Sequence, residues 1–186
     1  MIIMENEHKE LFGTWVQATG TTLAAIGSTP LKIFTEDELT SFNLWGNELQ
    51  ALGNALIADS EHYFTMEKIG NMIQSTGNIT VIAGILLPVE NETEQELDIK
   101  GNLMQALGGS AVLKDILADR HSVESLYHLY GSLLQIIGNS MQAISGIIEL
   151  QGREGKNINT AGSWIQATGS IIEAVGSTID YLDETG

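Results

Sequence analysis

One phrase is written six times along this chain. The frame Gly-x-x-x-Gln-x-x-Gly occurs at Gly13-Gln17-Gly20, Gly46-Gln50-Gly53, Gly70-Gln74-Gly77, Gly101-Gln105-Gly108, Gly131-Gln135-Gly138 and Gly162-Gln166-Gly169. Successive starts lie 24 to 33 residues apart, the spacing of a repeat whose unit is one supersecondary element. Steps of four, three and seven residues place the three positions on one stripe of an α-helix. No segment alternates with period two for long enough to make a strand. The frame therefore predicts an all-α chain of six helices.

Two arcs divide each predicted helix. With the first glycine of a copy numbered zero, positions 0, +1, +4, +7 and +8 fall within roughly 140° at about 100° per residue. They carry Gly, Gln, Asn, Ser and Thr. The remaining arc is mostly apolar, and positions +3, +6, +10 and +13 run Val16, Thr19, Leu23, Ile26 in the first copy and Leu134, Ile137, Met141, Ile144 in the fifth. That pattern is a heptad-type seam, which predicts an apolar contact face. The small-polar arc lacks the Lys and Glu of an ordinary water-facing stripe.

Glycine in a helix interior costs about 1 kcal/mol relative to alanine. Twelve motif glycines cost on the order of 10 kcal/mol, as much as the net stability of a whole domain. Close helix approach is the compensation we expect, because a groove of small residues lets a neighbouring backbone come near. A glutamine between the glycines offers donors and an acceptor without a charge that would be costly to bury. The stripe is thus read first as a helix–helix contact surface, against two alternatives. One is the wall of a water-filled groove or small-ligand channel, and the other is the polar side of helices associated with a bilayer.

The first and last copies, GTWVQATGTTLAAIGST and GSWIQATGSIIEAVGST, are the most alike. End repeats of an open stack differ from the rest because they cap it, so their likeness predicts a closed six-helix bundle. Its first and sixth helices lie side by side, and its neighbours run roughly antiparallel. One domain spanning 1–186 is expected, with helices near 8–28, 36–58, 61–87, 94–118, 122–150 and 159–182. Pro30 and Pro88 punctuate it, Thr35 and Glu38 form a capping box, and the acidic run 90–98 opens the fourth helix.

The formal charge of −16, from 24 acids and 8 bases, leaves no basic footprint for nucleic acid or anionic membrane. Without cysteine there can be no disulfide, thiolate metal site or thiol nucleophile. The opening MIIMENEHKE lacks the features of a secretory signal, so a cytoplasmic location is expected. His121, Glu124 and His128 share a helical face and form a weak metal candidate, with a solvated turn the plainer account. No catalytic motif is present, and no cofactor is expected.

Three function classes remain: a non-enzymatic structural or protein-interaction module, oligomeric in one version; a lipid-associating helical protein; and a ligand or metal carrier. The charge-free stretches 11–31, 69–89 and 125–148 speak for the second.

Overall fold

The computed structural model describes residues 2–118 and 124–185, which form six α-helices. They are α1 (Ile2–Gly27), α2 (Glu36–Ser60), α3 (Met66–Leu86), α4 (Asn91–Ala118), α5 (Glu124–Leu150) and α6 (Lys156–Thr185). The third helix begins later than the expected residue 61. Thr65 caps it by accepting from the Lys68 N–H, and 61–65 is left as a turn. The Thr35–Glu38 capping box is present: Thr35 N–H donates to Glu38 Oε2 (2.8 Å) and Glu38 N–H donates to Thr35 Oγ1 (3.2 Å).

Each helix packs against its two chain neighbours, and α1 packs against α6, so the six close into a ring. The expected side-by-side arrangement of the first and sixth helices is therefore found. Within the ring, α1–α2, α3–α4 and α5–α6 are the most closely engaged pairs. Three antiparallel hairpins stand around one axis.

The motif glycines make those hairpins. A methyl placed on Gly13 would meet the Gly53 carbonyl oxygen at 3.0 Å, and one on Gly53 would meet that of Gly13 at 2.6 Å. Gly20 faces Gly46 in the same manner, as do Gly70 and Gly108, Gly77 and Gly101, Gly131 and Gly169, and Gly138 and Gly162. The first glycine of one copy thus opposes the last glycine of its hairpin partner, always twice per hairpin. All twelve notches are filled by backbone, which is why no β-carbon is admitted.

The expected seam is split: positions +3 and +10, such as Leu49, Leu56, Leu134 and Met141, are half-buried with their β-carbons against partner glycines, while +6 faces outward. Position +6 of every copy is exposed: Thr19, Leu52, Thr76, Leu107, Ile137 and Thr168. Positions 0, +1, +4, +7 and +8 are buried throughout. The physical reason is distance. Backbones brought to glycine–glycine contact leave an interior too narrow for leucine, so the bulky arc must face outward. The buried apolar residues are accordingly mostly alanines, with Ile57, Val81, Ile99 and Val112 the larger exceptions.

Gly138→Leu forces its side chain against the Gly162 carbonyl and the Gln166 backbone, 2.6 and 2.7 Å from the β-carbon. Overpacking of this kind costs about 1–3 kcal/mol or more. Gly84 is the control, since its added methyl meets Glu94 and Leu97 atoms at 3.3 Å. Urea denaturation should show a large loss for Gly138→Leu, while Gly84→Ala stays within about 1 kcal/mol of the parent.

Candidate functional site

The interior of the ring is polar. All six motif glutamines are buried, none more than 7 % exposed. Gln17 Nε2 on α1 donates to Gln135 Oε1 on α5 (3.1 Å) and to Asn54 Oδ1 on α2 (2.9 Å). Gln166 Nε2 on α6 donates to Gln50 Oε1 on α2 (2.8 Å) and Gln105 Oε1 on α4 (3.2 Å), and Gln166 Oε1 accepts from Gln142 (2.8 Å). Pairs such as α1–α5, α6–α2 and α6–α4 are separated by one helix in the ring, so these carboxamides meet in its interior. One set links odd-numbered helices and the other links even-numbered ones.

Position +8 continues the polar lining. Asn54, Asn78, Asn139, Thr21 and Ser170 are among the largest fully buried side chains. Sequence reasoning placed Gln on the contact stripe, but the bridging through the interior was not visible in it. Only the ring's diameter decides whether helices separated by a third can touch.

Each end of the axis opens into an acidic mouth. At the end formed by the N-termini of α1, α3 and α5, a cavity of about 670 Å³ is lined by Glu10, Glu67, Asp115, His128, Glu173 and Asp180 among others. Burial pushes the Glu67 carboxyl up to about 8, helped by the charges of Glu10, Glu61 and Glu173 and opposed by His128. Burial also raises Glu173, against His128 and a hydrogen bond donated by Gln135. Burial would lower His128, yet its 2.7 Å bond to Asp180, together with the charges of Glu173, Asp180 and Glu10, raises it to about 9. At the other end, burial lifts Asp98 to about 6, opposed by a hydrogen bond from Asn102 and aided by Glu149 and Glu94. A polar cavity of about 60 Å³ lies there, between Asp98 and the glutamines Gln50, Gln105 and Gln166.

Of the metal candidate, His121 lies outside the described residues, as does the side chain of Glu124. His128 faces Asp180 on α6. Among the described residues no group of three or more His, Asp or Glu side chains is placed to hold a metal ion. The tryptophans stand on the outer surface, each about half exposed: Trp15, Trp45 and Trp164. Trp15 and Trp164 form a matched pair at the α1–α6 seam, their indole N–H groups donating to Thr178 and Thr29, both at 3.0 Å. Among the described residues no helix is long and apolar enough to cross a membrane.

A family model matches residues 8–174, the whole span of the repeat. The chain belongs to DUF6944, a family of unknown function. Within that matched span lie all six Gly-Gln-Gly copies and the acidic mouths apart from Asp180. No curated protein and no solved structure matches the chain.

Two outcomes follow from this interior. Gln166→Leu strips partners from Gln50, Gln105 and Gln142 at once; unpaired buried groups cost about 1–3 kcal/mol each, so urea unfolding should show a loss on the order of 3 kcal/mol or more. The pH dependence has a definite sign. Glu67, Asp98 and His128 all hold their protons more tightly folded than unfolded, so their contribution is complete at low pH and is lost as pH rises. For Glu67 the window runs from its ordinary 4.5 to about 8. Melting temperature should therefore fall from pH 5 to pH 9, and Glu67→Gln should flatten the part between 5 and 8. A Glu67→Gln profile parallel to the parent's would contradict this account.

Proposed function

We propose that the protein is a non-enzymatic helical module that works from its outside, burying its apolar surface against another body. One observation supports this reading above the rest. The largest fully buried side chains are Asn, Thr and Ser, while Phe12, Leu52, Leu103, Leu107, Ile137 and Leu182, with many more, stand out into the surroundings. A soluble domain ordinarily arranges these residues the other way, and extended exposed apolar surface marks an interaction site. The interior supports a structural role for the glutamines: Gln17 bonds Gln135, and Gln166 bonds Gln50 and Gln105, so these amides are spent on one another.

Binding of a hydrophobic dye by the native state tests this. The folded protein should bind 8-anilinonaphthalene-1-sulfonate strongly at temperatures well below its melting transition, or else sediment as an oligomer that has already covered the surface. A monodisperse monomer with no dye binding would reject the proposal.

A further inference from the structure

We propose that the face made by α5, α6 and α1 seats the protein on the hydrocarbon of an electrically neutral lipid bilayer. This rests on the reading that the outside is the working surface, and it names what covers that surface.

The three helices are consecutive around the ring, so their outer surfaces form one continuous half-cylinder. Residues 11–27 on α1 and 125–148 on α5 contain no Asp, Glu, Lys or Arg. On α6 the stretch 157–179 contains one, Glu173, and it accepts from Gln135 of the interior. The stretches are about 25–36 Å long at 1.5 Å per residue. Trp15, Tyr130, Ile137, Ile144, Trp164 and Ile171 project from this face. In the opposite half α3 is also free of charge from residue 69 onward, but it stands between two charged neighbours: Glu48 is exposed on α2, and the Glu96–Lys100 pair is exposed on α4. That asymmetry fits a partner on one side with water on the other.

Five hydroxyls of the face are already satisfied by their own helices. Thr19, Thr22, Ser140, Thr168 and Thr178 each donate to a carbonyl four residues back on their own helix, at 2.7–2.8 Å. Trp15 and Trp164 donate to threonines within the face. Protein interfaces carry about one hydrogen bond per 100–200 Å², and this surface offers few donors with which to make them. Hydrocarbon asks for none. With a net charge of −16 the protein is repelled by anionic headgroups, which leaves neutral lipid. No described helix is long and apolar enough to cross a membrane, so the mode is interfacial, with the apolar side sunk into the acyl boundary.

The full chain is floated through a density gradient with phosphatidylcholine vesicles and with vesicles containing phosphatidylserine. The parent should float with the former and less with the latter, and its tryptophan emission should be quenched by brominated acyl chains. Ile137→Glu combined with Ile144→Glu should reduce flotation at least tenfold. Leu52→Glu with Leu107→Glu, on the opposite half, should float like the parent. All four positions are exposed, so circular dichroism should show unchanged folding. Protein that stays at the bottom of the phosphatidylcholine gradient overturns the proposal, as does stronger binding to the anionic vesicles. If that non-floating protein is instead a dimer broken by Ile137→Glu/Ile144→Glu, a second copy covers the face, and the outward-working reading stands without lipid. A non-floating monomer that binds no dye removes both.

Discussion

A backbone carbonyl resting on the α-hydrogen side of a glycine, reciprocated by its partner, is the contact that sets every other dimension. Gly20 and Gly46 show it: a methyl on either would lie 2.6–2.8 Å from the other's oxygen. Such C–H···O approaches are individually weak, but each hairpin repeats them, and dispersion between two backbones held so close is collectively large. The helices cannot separate by the width of a methyl without losing those contacts together. Glycine's cost in helix propensity is met by packing that no other residue permits.

Close approach narrows the ring, and a narrow ring selects its own filling. Leucine and phenylalanine do not fit around the axis, whereas Ala18, Ser163 and Asn54 do, and all are buried. Glutamine is long enough to reach through the interior and flat enough to lie between helices. Gln17 reaches Gln135, and Gln166 reaches two partners at once. Buried amides of this sort are costly when half satisfied and specific when paired, so the network fixes the register of helices that share no backbone contact. Bulky side chains then have only the exterior. The inverted surface is a consequence of the glycine contacts, and the proposed lipid seat is in turn a consequence of that surface. At the two ends Glu67, Glu173 and Asp98 sit in crowded acidic mouths, where burial makes each hold its proton more tightly than a free carboxyl does.

Much of this fold could be read from residue spacing. The six copies, the small-polar stripe and the likeness of the Trp15 and Trp164 copies carry the helices, their buried side and the closure of α1 on α6. Those features are local periodicities, and geometry converts them directly into faces. The apolar seam at Leu134, Ile137, Met141 and Ile144 was legible as a pattern but divides in space: Leu134 and Met141 pack against the α6 glycines, while Ile137 and Ile144 face outward. Periodicity defines a face without saying whether protein, water or lipid lies against it. The pairing of Glu67 with the α4 carboxylate Asp115, whose Oδ2 accepts the Glu67 N–H, and of His128 with Asp180 joins residues 48 to 52 positions apart. Nothing in a single sequence marks such partners. The late start of α3 follows from Thr65 competing successfully as the cap, a choice that turns on local backbone geometry.

The account makes an inverted claim about accessibility, and the absence of native cysteine allows it to be measured cleanly. Single cysteines placed at Ser132 and Ser163, which are buried, and at Leu107 and Ile137, which are exposed, can be reacted with a water-soluble maleimide in lipid-free buffer. The account predicts that the two polar positions are protected in the folded protein by at least a hundredfold relative to urea, while the two apolar positions label readily. Rapid labelling at Ser132 and Ser163, with protection at Leu107 and Ile137, would place the apolar arc inside and contradict it.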